Sequence, residues 1–228
     1  KIALKLGNER LHAYLRAFGI GTPTGIDLPG EEGGLLGPPR QWTALTPTRV
    51  AIGHEVAVTA LQMLGVLATI ANDGARMRPY IVRQVTDPDG RVLYQAEPRA
   101  LGQPIRPDTA RLMRSLLVRV TEEGGTGARA RVEGYTVGGK TGTAQKAVAG
   151  GYSDRLNMSS FMGFLPAEDP ELAILVVLDE PKAAVRTGGY VAGPVFREIA
   201  EQAVRYLDIP PQGTGRAAAA AAERGRES

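Results

Sequence analysis

Residues 135–146 read YTVGGKTGTAQK, and with Gly134 in front they admit two incompatible structures. From Gly134 to Thr141 the chain spells G-x-x-x-x-G-K-T, the spacing of a loop whose backbone N–H groups cradle phosphates at the first turn of a helix. From Lys140 onward the same residues spell Lys-Thr-Gly-Thr, an order that suits an edge strand of an antiparallel sheet. Gly142 lacks a side chain, so a second backbone can approach it closely. Lys140 then holds a positive charge for a carboxylate and for proton movement. Thr143 offers a hydroxyl to the same carboxylate and a backbone N–H to a developing oxyanion.

The flanking residues decide between the two. A phosphate loop follows a buried strand and opens a helix. Upstream stands GARARVE (127–133), which is no apolar strand. Downstream, TGTAQKAVAGGYS (141–153) carries Gly142 and the pair Gly150–Gly151, too many glycines for a helix of useful length. ILVVLDE (174–180) does look like the magnesium-holding strand of a nucleotide hydrolase. Yet LAILVVLD (172–179) is joined to MSSFMGFL (158–165) by PAEDPE alone. Parallel strands need a crossover of about a dozen residues or more, so this pair is antiparallel, whereas phosphate-loop domains rest on parallel sheets. The strand reading is preferred.

The rest of the chain organises around that sheet. Residues 1–6 close one helix, and Asn8 caps a second with Leu11, Tyr14, Leu15 and Phe18 on one face and Gly19 as its stop. IGTPTGIDLPGEEGGLLGPP (20–39) is loop, with one short strand at 25–28. Thr59 caps a helix reaching about Asn72, apolar all round and therefore expected to be buried. YIVRQVTDPDGRVLYQAE (80–97) is a hairpin turning at Asp87–Gly90. A helix is expected from Asp108 to Glu122, closed by a double Gly. GPVFREIAEQAVRYLD (193–208) reads as an amphipathic helix with Val195, Phe196, Ile199, Ala203, Val204 and Leu207 inward. Residues 209–228, with their Pro, Gly and poly-Ala, have nothing to anchor them past Ile209 and read as a disordered tail, leaving 1–208 as the folded part.

Composition sets the outer limits. An apolar fraction of 43% and a charged fraction of 22% describe a chain that buries a sizeable core. The net charge of +3 is too weak a bias to argue for nucleic acid, and no basic run interleaves with aromatics. With no Cys there is no disulfide, thiolate metal site or Cys nucleophile. His12 and His54 are too few and too scattered for a metal centre. No apolar run approaches the roughly 20 residues that span a bilayer. The chain begins directly in a helical pattern, KIALKLG, which reads as a fragment rather than a leader.

Five stretches, YLRAFGIGTPTGIDLPGE, AIGHEVAVTALQMLGVLATIANDG, GTGARARVEGYTVGGKTGTAQ, SSFMGFLPAEDPELAILVVLDEP and GGYVAGPVFREIA, fall in order within roughly residues 1–207. Together they resemble the transpeptidase domain of class B penicillin-binding proteins, in particular the division-type branch. The resemblance implies an α/β fold of the α+β type, a central antiparallel sheet flanked by helices, of which this chain is the C-terminal part. It implies a peptidoglycan D,D-transpeptidase without cofactor or metal, which acylates a serine with the D-Ala–D-Ala end of a stem peptide and binds β-lactams at the same place. Family chemistry rests on Ser-x-x-Lys, Ser-x-Asn and Lys-Thr-Gly. It maps Lys140 and Thr143 as catalytic, and Thr141, Gly142 and Gln145 as substrate-binding. It further implies an extracytoplasmic protein anchored by an N-terminal segment, working with a membrane-embedded glycan polymerase and division proteins.

The chain departs from the family at the other two motifs. Its five serines, Ser115, Ser153, Ser159, Ser160 and Ser228, begin neither Ser-x-x-Lys nor Ser-x-Asn. The expected partner is therefore the N-terminal remainder of the same protein, carrying both. His54 and Glu55 look like an acid–base pair but sit in a loop before a helix, where a capping or loop role is favoured. His12, among Leu and Tyr, reads as structural. Tyr152, Asp154 and Arg155 fall on a loop that borders the cleft in the family, and Asp179 and Glu180 read as a turn. A serine β-lactamase or β-lactam sensor of the same superfamily, and a non-catalytic module of that fold, remain the alternatives.

Overall fold

The computed structural model describes residues 1–149 and 151–212, with Ala147, Asp154 and Arg155 described in their backbone only. The described chain divides into two compact units that meet in sequence between Arg111 and Leu112.

The first unit opens with α1 (Ile2–Ala17), which Gly7 breaks with φ 75° and ψ 167° into the two helical pieces expected. There follow β1 (Leu35–Leu36), a 3-10 turn at Pro39–Gln41, α2 (Thr46–Val50), β2 (Val56–Ala57), α3 (Ala60–Ala71), β3 (Arg76–Met77), β4 (Gln84–Thr86), β5 (Val92–Gln95) and β6 (Ala100–Gly102). The strands form three antiparallel ribbons, β1–β2, β3–β6 and the expected hairpin β4–β5. Thr59 caps α3 as predicted, and Gln62 completes a capping box by accepting from the Thr59 N–H. The same buried side chain donates to Thr22 O at 2.8 Å and Gly33 O at 2.7 Å. One amide thus pins both ends of the glycine-rich loop, whose backbone groups would otherwise lack partners.

Carboxylates hold the middle of that loop. Glu31 accepts from the Thr24 N–H and hydroxyl, both at 2.6 Å, and from Gly25 N–H at 2.9 Å. Asp27 accepts from Ile81 N–H and Val82 N–H, each at 2.8 Å. The strand expected at 25–28 does not form, because side chains and a glycine at φ 77° take over the role of a ladder. α3 also departs from expectation: Leu67 is buried, but Leu61, Met63, Leu64, Val66 and Ile70 keep part of their surface. The short elements of this unit are too few to enclose a helix that is apolar all round.

α4 (Pro107–Val118) leads into the second unit and stops one turn short of Glu122. Thr121 ends it by donating to Val137 O at 2.6 Å, and Gly127 N–H returns to Val120 O at 2.8 Å. A 3-10 turn at Ala128–Ala130 precedes β7 (Gly138–Val148), β8 (Gly151–Leu165), β9 (Leu172–Asp179) and α5 (Gly188–Tyr206). The strands form one antiparallel sheet in the order β7-β8-β9, as the six-residue link demanded. On the face under α5, Phe161, Gly163 and Leu165 of β8 stand opposite Val176, Ile174 and Leu172 of β9. Phe161 meets Phe196 edge to face, with ring centroids 4.8 Å apart. Each fully buried ring contributes about 1.5–3 kcal/mol by leaving water.

The face that α5 buries is the expected one at Phe196 and Val204, with Val195 packed against the core, but differs at Ile199 and Leu207. Ala192, Phe196, Ala200 and Val204 are inside, while Ile199 and Leu207 are 44% and 52% exposed. Small residues win the inner face because they let the helix sit low on the sheet. Gly163 makes the same allowance: a Cβ there would stand 2.7 Å from the Phe196 ring. Beyond α5 the chain stays attached through Gln212. Ile209 is buried, its carbonyl accepts the Tyr135 hydroxyl at 2.6 Å, and Gln212 N–H bonds Gly134 O at 2.8 Å. The tail expected from residue 209 is thus packed over its first four residues, and 213–228 lie outside the described residues.

The loop's carboxylate yields a pH signature. Burial pushes the Glu31 carboxyl up, but the bonds from Thr24 and Gly25 outweigh it and hold it below its ordinary 4.5. A carboxyl depressed in the folded state adds stability above its unfolded pKa and loses it as pH falls through the folded value. Glu31→Gln should therefore be less stable than the parent in urea unfolding at pH 7, with the gap closing progressively below pH 4.5. A gap that persists unchanged at pH 2 would contradict this account.

Candidate active site

The register of the sheet sorts the Lys-Thr-Gly-Thr residues onto two faces. Lys140 and Gly142 stand opposite Met162 and Ser160 on one face. Thr141, Thr143 and Gln145 stand opposite Phe161, Ser159 and Asn157 on the face that carries α5. β7 is the outermost strand of its sheet among the described residues, so its far edge is free of any ladder. The phosphate-loop geometry is absent: residues 138–148 are one extended strand, and no helix starts at Lys140.

Lys140 is exposed, and its ammonium donates to Thr141 O at 2.7 Å. No carboxylate pairs with it among the described residues. Thr143 is exposed as well, and its Oγ1 accepts from Gly188 N–H at 3.2 Å. With one lone pair engaged in this way, the hydroxyl proton is left to donate outward. Thr141 is half-buried and donates to the Thr126 hydroxyl at 3.3 Å. Gln145 is exposed two residues further along the same face. The first turn of a 19-residue helix therefore sits against the strand, and its unpaired N–H groups add partial positive charge near Thr143. A donor hydroxyl beside a helix N-terminus favours an anionic group on that face of the strand, while Lys140 places its ammonium on the other.

Glycines make this closeness possible. A Cβ on Gly142 would lie 2.4 Å from Ser160 Oγ. One on Gly188 would lie 2.0 Å from Ser160 O and 2.4 Å from Gly142 O, and one on Gly189 would lie 1.8 Å from Thr126 O. Only Gly142 was expected to matter. The pair Gly188–Gly189 lies ahead of the helix expected from Gly193, and the structure makes it the first two residues of α5, just after the N-cap Thr187.

Other candidates fall elsewhere. Asp179 and Glu180, read as a turn, both bind Lys146, at 2.6 and 2.7 Å, across the width of β8. Asp179 and then Glu180 raise the Lys146 ammonium pKa above its usual 10.5. The pairing register shifts between Gln145 and Ala147, next to this lysine. Tyr152 is exposed, and the side chains of Asp154 and Arg155 lie outside the described residues. His54 and Glu55 belong to the first unit, where Glu55 at φ 59° pairs with Arg49 at 2.5 Å and His54 N–H returns to Arg49 O. Arg49 and then Thr46 hold the Glu55 carboxyl below its usual range. The His12 ring meets Trp42 edge-on at 5.8 Å. All three make local contacts within the first unit.

Comparison with known proteins points to the same chemistry. The model of the penicillin-binding protein transpeptidase domain matches residues 1–201. Penicillin-binding protein PbpB of Mycolicibacterium smegmatis is 38% identical over 92% of this chain and 34% of its own length. Stage V sporulation protein D of Bacillus subtilis is 39% identical over 91% of this chain and 32% of its own. The chain thus spans about a third of the curated relatives it matches. Among solved structures, penicillin binding protein 3 of Mycobacterium tuberculosis complexed with ampicillin superposes with a TM-score of 0.84 at 36% identity, covering 92% of this chain and 48% of that one. The apo transpeptidase domain of Burkholderia pseudomallei penicillin-binding protein 3 gives 0.81 at 32% identity, covering 92% and 61%. The shared architecture is that of the penicillin-binding and β-lactamase-like fold.

The glycine contact can be tested directly. Gly188→Ala must push the start of α5 off β7, since backbone carbonyls cannot yield as a side chain would. Misplacement of about 1 Å in a site of this kind costs on the order of 100-fold in rate. The complete protein carrying this change should be labelled by a fluorescent penicillin that much more slowly, whereas labelling at the parent rate would show that the contact relaxes without consequence.

Proposed function

The chain belongs to the penicillin-binding protein transpeptidase domain family, and on that footing we propose that it serves a division-type peptidoglycan D,D-transpeptidase. The observation that carries this is the edge strand Lys140–Thr143, with Thr143 fixed by the N–H of Gly188 and Lys140 paired with no acid among the described residues.

In this reading a serine hydroxyl attacks the carbonyl of the penultimate D-Ala of a stem peptide. The peptide bond breaks, the terminal D-Ala leaves as an amine carrying the proton, and an acyl-serine remains. The amine of a neighbouring stem then attacks that ester and restores the serine. Lys140 and the Thr143 hydroxyl hold the terminal carboxylate, and the Thr143 backbone N–H faces the oxyanion that forms during attack. Thr141 lies beside the second motif, Gly142 gives the peptide backbone room, and Gln145 reaches the stem further along the strand. A β-lactam follows the same course but stays attached, since its leaving group remains tethered. The ampicillin complex of the Mycobacterium tuberculosis neighbour supports this half of the reading.

None of the five serines of this chain begins Ser-x-x-Lys or Ser-x-Asn. The acylated serine, its lysine and the second motif are thus supplied from outside these 228 residues, by the remainder of the same protein. Acyl transfer of this kind needs neither cofactor nor metal. The substrate places the site on the outer face of the cytoplasmic membrane. No helix of the described residues is long and apolar enough to cross a membrane; in this reading an N-terminal segment of the protein supplies the anchor. A membrane-embedded glycan polymerase and division proteins are the partners that fit.

Lys140→Ala in the complete protein tests the reading. The second-order rate of labelling by a fluorescent penicillin should fall on the order of 100-fold or more, the scale on which loss of one preorganised electrostatic contact acts. Unchanged labelling would refute the role of Lys140.

A further inference from the structure

Behind the exposed face of β7 stands a second row of polar side chains that no motif predicts. Ser159 and Asn157 sit on β8 directly across from Thr143 and Gln145. Ser159 is fully buried, and its hydroxyl donates to Arg186 O. Asn157 Nδ2 donates to the same carbonyl at 3.2 Å and to Ser159 Oγ at 3.4 Å. The orientation of this amide follows from its neighbours. Arg186 O can only accept, and the Ser159 hydroxyl proton is already committed to it, so the Asn157 atom facing both must be the amino group. That leaves Asn157 Oδ1 buried without a partner among the described residues.

The clamped carbonyl occupies a decisive place. Arg186 precedes Thr187, the N-cap of α5, and Gly188, whose N–H holds the Thr143 hydroxyl. The other end of the same loop is tied to the same residue, since Glu180 N–H donates to Asn157 O at 3.0 Å. Asn157 therefore grips the segment 180–188 at both ends, once with its backbone and once with its side chain. A polar cluster serving the fold alone has no need to leave an amide oxygen orphaned beside the strand that faces substrate. This cluster fixes where one N–H points.

We infer that Ser159 and Asn157 are positioning residues for the acylation. They hold the Arg186 carbonyl so that Gly188 N–H occupies the acceptor side of the Thr143 hydroxyl and aims its proton at the carboxylate of the incoming peptide or β-lactam. The inference rests on the reading of Thr143 as a carboxylate contact, and its test separates the two.

The complete protein is assayed with two probes, a penicillin and its methyl ester, and second-order acylation rates are taken from intact mass spectra. The parent should prefer the acid, and Thr143→Val should abolish most of that preference. Ser159→Ala should slow the acid roughly tenfold, the worth of one well-placed hydrogen bond, and leave the ester nearly unchanged. The double variant should lose no more than Thr143→Val alone, because Ser159 acts through Thr143. Asn157→Ala should move the same ratio in the same direction and carries the test if Ser159→Ala does not fold. Equal slowing of acid and ester by Ser159→Ala, or additive losses in the double variant, would overturn the inference. A parent protein that labels acid and ester alike would sink the role of Thr143 itself, and the inference with it.

Discussion

A helix can lie directly on the backbone of a sheet only where neither surface carries a side chain, and this constraint organises the second unit. Gly188 stands over Ser160 O and Gly142 O, and Gly189 stands over Thr126 O, at separations that no Cβ could occupy. The closeness aligns the first turn of α5 with the edge strand and brings one of its free N–H groups to Thr143. It also sets the height of the helix, so that Ala192, Phe196, Ala200 and Val204 become the buried row. Packing of the core and aim of the functional hydroxyl are consequences of the same contact. A change that relieves one disturbs the other, which is why the most sensitive positions here are residues with no chemistry of their own.

Much of this was legible in the sequence, for identifiable reasons. The antiparallel sheet followed from a link of six residues, which is too short to let two strands run parallel. The capping of α3 followed from Thr59, and the hairpin from Asp-Pro-Asp-Gly. Where polarity of local bonds and chain length decide the outcome, residue order is sufficient. Two errors share one cause. The inner face of α5 was assigned to its largest apolar side chains, and residues 209–212 were assigned to a tail. In both cases the deciding quantity was distance to another part of the chain: a helix seated low selects Ala over Ile, and Tyr135 supplies a partner 74 residues away from Ile209.

The candidate site divides the same way. Lys140, Thr141, Gly142 and Thr143 announce themselves because their types are unusual together on a strand. Their supports do not. Ser159 and Asn157 look like ordinary polar residues on an apolar strand, and only the register shows them to lie across from Thr143 and Gln145. Lys146 and the acids at the end of β9 are separated by more than 30 residues, and their ion pairs depend on a pairing shift that no propensity predicts. Residues that meet substrate are specified by chemistry and can be guessed. Those that hold them in place are specified by topology.

The open edge of β7 has a further consequence. A strand with a free edge is a template for any extended chain, including a second copy of itself. Proteins blunt such edges with charge and with irregular pairing, and β7 has both. Lys140 places an ammonium near its start, while Lys146 adjoins the shift in register near its end. The lysine proposed to meet substrate is thus also one that guards the edge. Under the proposed function, that charge selects for an added chain that ends in a carboxylate.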